Sequence, residues 1–261
     1  MNPILTIAGS DCSGGAGIQA DLKTFMAHGA YGMSVITALT AQNTTGVYAV
    51  KPTEPELIGA QLDAVFTDIF PGAVKIGMVA DDAAVRVICD RLGRYRARNL
   101  VIDTVLVSTS GTALMSQKAL YLAQEELFSM ASVLTPNLPE AEILSGVRIT
   151  DGASMQEAAM IMYEKYGCAV LCKGGHLTAS ADDLLYDGRQ FRWMRSGRID
   201  NPNTHGTGCT LSSAIACHLA DGMAIPQAVQ KAKEYITGAI AAGLDLGNGN
   251  GPLNHIFLNK S

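Results

Sequence analysis

The chain has 261 residues, 48% apolar and 16% charged, a balance that fits a globular protein and excludes a disordered one. Nineteen basic against 24 acidic side chains leave a formal net charge of −5 with no long run of either sign, which argues against non-specific nucleic-acid binding. No stretch approaches the ~18 uncharged apolar residues of a membrane span, and Met1 to Asp11 lacks a basic leader, so neither a span nor an export signal is expected.

Ile4–Ala8 reads as a first strand, and Ile18, Leu22, Phe25 and Met26 then share one helical face. Ser34–Leu39 and Val74–Ile76 read as strands, followed by a helix with Val85, Ile88, Leu92 and Tyr95 in register. Leu100–Asp103 and Ser132–Thr135 are further strands. Met155, Ala159, Met162 and Tyr166 mark a helix before the strand Ala169–Lys173. Leu184–Tyr186 and Phe191–Met194, joined through Asp187-Gly188-Arg189, read as a hairpin. Leu211, Ile215 and Leu219 lie on one helix, and a last helix runs from Pro226 to about Ala242. These strands are too apolar to carry a wet face. The pattern predicts one α/β domain over residues 1–261, with a central, mostly parallel sheet flanked by helices on both faces.

Six cysteines (Cys12, Cys89, Cys168, Cys172, Cys209 and Cys217) in a chain without an export signal read as reduced thiols of a cytoplasmic protein. Cys168 and Cys172 have no second ligand pair nearby, so a zinc site is not expected.

Glycines exceed their usual share of ~7%, 27 in all, and cluster at two places. In Asn203-Thr-His-Gly-Thr-Gly-Cys-Thr, Gly206 and Gly208 stand before a periodic helix. A helix start of this kind presents unpaired N–H groups at the positive end of its dipole, where an anion, most often a phosphate, binds. Thr207 and Thr210 could add hydroxyl donors, and Cys209 in the first turn is expected to have a lowered pKa. A glycine-rich helix entry with threonine capping and a small buried thiol is the plainer alternative. The second loop, Gly9-Ser-Asp-Cys-Ser-Gly-Gly-Ala-Gly17, follows the first strand. Its spacing does not match the dinucleotide fingerprint, which argues against a nicotinamide-dependent oxidoreductase, and no Walker A lysine is present. Asp21, one turn beyond Gly17, reads as a ligand contact or as a solvated or capping residue.

Both loops, with Thr40-Ala-Gln-Asn-Thr, Lys75-Ile-Gly-Met, Thr135-Pro-Asn-Leu-Pro-Glu-Ala-Glu and Lys173-Gly-Gly-His, occur in an order that resembles hydroxymethylpyrimidine/phosphomethylpyrimidine kinases of the ribokinase-like superfamily. The resemblance runs from the first strand to Gly251-Pro-Leu-Asn-His255. It implies a ribokinase-like fold, usually a homodimer, that uses ATP and Mg²⁺ to phosphorylate a small pyrimidine and then its monophosphate in thiamin biosynthesis. It implies an anion hole at Gly206, Thr207, Gly208 and Cys209, and a phosphate contact at Lys173. Asp103 and Glu140 would orient the metal, though Glu140 beside Asn137 also reads as a helix N-terminal acid. Gly9, Ala16 and Met78 would line the pyrimidine pocket, with Gln42 and Asp21 at the ring's polar edge. Where much of the superfamily carries an Asp base, this chain has Cys209.

The chain departs from the family pattern in places. Asp103-Thr-Val-Leu stands where Asp-Pro-Val-Met is usual, and Cys12 stands where proline is common. A pyridoxal-phosphorylating branch carries a further lid cysteine; the matching Val107-Ser108-Thr109-Ser110 has none, which favours the pyrimidine. A lid is expected over Ser108 to Leu114. Pyridoxine or pyridoxal kinase, and a non-catalytic pyrimidine-binding regulator on the same fold, are the alternatives.

Overall fold

The computed structural model describes residues 1–106, 114–175, 182–195, 197 and 199–257. Alternation along the strands divides the core in two. Leu5, Ile7, Val74, Ile76, Leu100 and Ile102 are buried on one face of the sheet, while Ile4, Ala73, Val101 and Val133 are buried on the other. Period-2 patterning with both sides apolar demands a cover on each face, and helices supply it.

The strands are β1 (Pro3–Asp11), β2 (Tyr31–Asn43), β3 (Gly46–Pro52), β4 (Ala73–Ile76), β5 (Leu100–Ile102), β6 (Val133–Leu134), β7 (Ala169–Cys172), β8 (Asp183–Tyr186) and β9 (Phe191–Met194). They form one sheet in the order β3-β2-β1-β4-β5-β6-β7-β8-β9. Pairing is parallel from β2 through β7 and antiparallel for β3 at one edge and for β8 and β9 at the other.

The helices are α1 (Gly17–Ala27), α2 (Pro55–Asp68), α3 (Asp82–Tyr95), α4 (Gln117–Leu122), α5 (Leu138–Ser145), α6 (Gly152–Tyr166), α7 (Thr207–Ala220) and α8 (Ile225–Ala241). Apolar stripes of α2 to α6 pack on the first face. Phe25 of α1 joins the stripes of α7 and α8 on the second.

The predicted strands and hairpin form, but three features differ from the sequence reading. β1 and β2 run several residues further, and β2 turns at Thr44–Thr45 into β3, which was not expected. β3 is exposed from Tyr48 to Pro52, so the sheet is dry at its centre and wet at this edge. α2, α4 and α5 also add to the expected helices.

Candidate active site

A cavity of about 760 Å³ opens at the carboxyl ends of the parallel strands. Asp11 ends β1, Met78 follows β4, Asp103 follows β5, Asn137 follows β6 and Lys173 follows β7, and all of them line it. The chain goes from β1 to β2 on one side and later places β4 on the other, a reversal that leaves a crevice at the strand tips.

The N-terminus of α7 enters the middle of this crevice. Gly206 caps the helix with φ 84°, and a Cβ there would lie 1.9 Å from the carbonyl oxygen of Gly15, so only glycine fits. The Thr207 N–H and hydroxyl both donate to the carbonyl of Thr204, which closes the entry turn. At Gly208 a Cβ would stand 3.2 Å from Oδ2 of Asp103 and 3.3 Å from Nζ of Lys173. The missing side chain keeps a small space between the helix start, a carboxylate and an ammonium.

Asp103 and Lys173 form a pair at 2.8 Å, and the Thr135 hydroxyl donates to the same carboxylate oxygen at 3.1 Å. Burial alone would raise Asp103, but Lys173 and Lys75 outweigh it and hold the carboxyl below its ordinary range. Lys173 is likewise pushed up: desolvation opposes its charge, and Asp103 and Glu140 more than restore it. Glu140 closes the capping box of α5, accepting from the Asn137 N–H at 2.9 Å and the Thr104 hydroxyl at 3.0 Å. Its burial pushes its carboxyl up, against the pull of Lys173. Among the described residues no group of three or more His, Cys, Asp or Glu could hold a metal ion.

The other end of the cavity is the glycine loop. Asp11 organises it by accepting from the N–H groups of Ser13, Gly15 and Ala16 and from the Ser13 hydroxyl. Nε2 of His205 lies 2.9 Å from the same carboxylate and 3.4 Å from the Gln42 amide, so the α7 entry is tied to both the loop and β2. Gly9, Ala16, Gln42 and Met78 all line this end.

Residues 11–254 match the family model described as phosphomethylpyrimidine kinase. The chain belongs to the phosphomethylpyrimidine kinase family. It is 50% identical over 255 residues to a hydroxymethylpyrimidine/phosphomethylpyrimidine kinase of Rhizobium meliloti, covering 96% of each chain. It is 49% identical to the thiamine biosynthesis bifunctional protein ThiED of Geobacter sulfurreducens, with 97% of this chain matched but only 52% of that longer protein. The ADP complex of Bacillus subtilis pyridoxal kinase has a similar fold, with a TM-score of 0.91 at 37% identity over the whole of both chains.

Gly206, Thr207, Gly208, Cys209, Lys173, Asp103 and Glu140 line one cavity together with Gly9, Ala16, Gln42 and Met78. Asp21 is a correction. It is fully buried beneath the cavity, where it takes two 2.9 Å bonds from Lys75 and one each from the hydroxyls of Thr6 and Ser213. It is therefore neither a ring contact nor a solvated or capping residue. Thr210 is also no anion donor, because it is buried and pairs with His255 at 3.0 Å.

The expected low pKa of Cys209 is reversed. Desolvation pushes the thiol up to about 11, and Lys75 only partly offsets burial and the nearby Asp21 and Asp103. The sequence reading passed over Asp11, His205 and Lys75 as site-building residues although each sits in a quoted motif; their partners lie too far along the chain for spacing to reveal. Val107 to Ser110, most of the expected lid and His176 lie outside the described residues.

Proposed function

We propose that this chain transfers the γ-phosphoryl group of ATP to 4-amino-5-hydroxymethyl-2-methylpyrimidine, and then a second to the monophosphate, in thiamin biosynthesis. The observation that carries this reading is the gap at Gly208, bounded by the α7 N-terminus, Asp103 and Lys173 within the cavity at the strand tips. One end of that cavity carries Ile199, Ile236 and Ile240, apolar enough to take a nucleotide base. The other end carries the polar edge of Gln42, which offers a donor and an acceptor to an aminopyrimidine.

Phosphoryl transfer passes through a loose transition state, so the protein contributes mainly position and charge. The first-turn N–H groups of α7 receive the oxygens that gain charge, and Lys173, beside that helix start, neutralises the transferred group. Asp103 fixes the Lys173 ammonium in place through their 2.8 Å contact. Mg²⁺ suits one or two carboxylates plus phosphate oxygens and water, a donor set that Asp103 and Glu140 can complete; when bound it would supply further neutralisation of the phosphates. Cys209, its thiol pushed up to about 11, holds its proton at neutral pH and so is not a resting thiolate base.

The likeness to a pyridoxal kinase supports one rival acceptor. An ADP-release assay with Mg-ATP separates the readings by offering hydroxymethylpyrimidine, its monophosphate and pyridoxal one at a time. Turnover with both pyrimidines is the expected result. Turnover with pyridoxal alone would replace the proposed acceptor, and turnover with none would leave a non-catalytic binding protein. The same reading includes a homodimer and a cytoplasmic location. Exposed Leu39 of β2 and Tyr48 of β3 at the sheet edge support the first, and six free cysteines support the second. Light scattering of the purified chain measures the former directly.

A further inference from the structure

The tie between His205 and Gln42 has a consequence for the ring edge the pocket accepts. Nε2 of His205 faces Oδ2 of Asp11 at 2.9 Å and the amide nitrogen of Gln42, Nε2, at 3.4 Å. Asp11 is an acceptor on both oxygens, since Ser13, Gly15 and Ala16 all donate to it. A bare nitrogen lone pair against that carboxylate would be repelled, so Nε2 carries a hydrogen whether the ring is neutral or charged. That hydrogen goes to Asp11, and the Gln42 amide stands beside the same N–H at the longer 3.4 Å. The Gln42 NH2 standing beside that N–H sets donor against donor, a clash that half a turn of the amide relieves by presenting its oxygen to His205 and turning its NH2 away. The two ends of a carboxamide have nearly the same shape, and neighbouring donors decide which is which.

The imidazole itself is held fast. A Cβ on Gly15 would come within 2.3 Å of Cδ2 of His205, so the ring lies flush on the glycine loop. The His205 N–H donates to the carbonyl of Gly251 at 3.2 Å, and the Gln42 backbone N–H reaches the Cys12 sulfur at 3.4 Å. Both partners of the tie are therefore anchored at the backbone as well.

We propose that His205 is a positioning residue that locks the donor–acceptor order of the Gln42 amide, and so makes the pocket select a 4-aminopyrimidine edge over the 4-oxo edge. The amino ring presents a donor beside an acceptor nitrogen. The oxo ring, as its lactam, presents an acceptor beside a ring N–H, the reverse order. A locked amide pairs with one order and leaves two polar mismatches with the other. This rests on the proposed function, in which Gln42 reads the pyrimidine.

The test measures kcat and KM for hydroxymethylpyrimidine and its 4-oxo counterpart, at saturating Mg-ATP, in the wild-type chain, His205→Leu, His205→Gln and Gln42→Leu. The wild type is expected to prefer the amino ring by about 10²-fold or more, in line with sites that reject a mismatched polar group. His205→Leu frees the amide to turn, so the preference falls at least about tenfold through the pyrimidine KM, while the KM for ATP stays unchanged. His205→Gln keeps an N–H donor and retains most of the preference. An unchanged preference in His205→Leu overturns the lock, provided Gln42→Leu raises the pyrimidine KM. If Gln42→Leu leaves that KM unchanged, or the wild type phosphorylates neither ring, the reading of the pocket itself has failed. Should His205→Leu not fold, ¹⁵N spectra of the labelled wild-type chain decide: a protonated Nε2 supports the lock, and a bare Nε2 with hydrogen on Nδ1 overturns it.

Discussion

Lys75→Met removes the ammonium from a pair that has no access to water on either side. Lys75 gives both of its 2.9 Å bonds to Asp21, and its pKa is raised because Asp21, Cys209 and Asp103 together outweigh the desolvation of its charge. Methionine nearly matches its length, so packing changes little and the loss is electrostatic. Asp21 then keeps only the hydroxyls of Thr6 and Ser213, and burial already pushes its carboxyl up. Breaking one side of a buried pair costs about 3–5 kcal/mol. At about 2–4 °C per kcal/mol for a chain of this size, the melting temperature should drop by about 6–20 °C. Lys75→Met/Asp21→Leu, which deletes both charges, should recover most of that drop, because the expensive species is the orphaned carboxylate and not the missing pair. Thermal unfolding followed by circular dichroism at neutral pH measures all three proteins. A single variant that melts within about 3 °C of the wild type, or a double variant that melts no higher than the single one, would refute the reasoning.

Gly208→Ala puts a methyl group into the space between Asp103 and Lys173, so kcat should fall by about 10²-fold or more while the melting temperature barely moves; steady-state kinetics beside a melting curve checks both. Cys209→Ala should lower turnover and leave ATP affinity intact in calorimetry. With the thiol at about 11, any general-base share of up to ~10²–10⁴-fold must grow as pH rises, so a wild-type rate that stays flat between neutral pH and pH 10 would assign Cys209 to positioning alone. Asp11 is opposed by desolvation but held down to about 2 by His205, Ser13 and Ala16, against an ordinary 3.8. A depressed carboxyl contributes stability that is present above pH 3.8 and lost as pH falls through about 2. Asp11→Asn should therefore remove about 2 kcal/mol from the difference in stability between pH 5 and pH 2, as read by urea titrations.

The order of apolar runs and amphipathic stretches was enough to fix the α/β class and the dry centre of the sheet. A parallel strand buried on both faces must be apolar except where a polar group finds a buried partner, as Lys75 of β4 and Thr6 of β1 do in Asp21. Gly206, Gly208 and the β1 loop were legible for a related reason: the positive φ and the nearby Gly15 carbonyl exclude a side chain at Gly206, Gly208 leaves room beside Asp103 and Lys173, and glycines in the sequence record both directly. β3 was not legible, because an exposed edge strand needs no apolar pattern. Asp21 was misread because its partner Lys75 lies 54 residues away, and a carboxylate one turn into a helix looks the same in water as in an ion pair. Cys209 was misread for the opposite reason: a helix start lowers a thiol's pKa, but the depth at which α7 packs decides how much water remains, and here burial wins. His205 joins Asp11 across 194 positions. Local chemistry is written into neighbouring residues, whereas burial and pairing depend on what the folded chain brings alongside, and only the tertiary structure decided those.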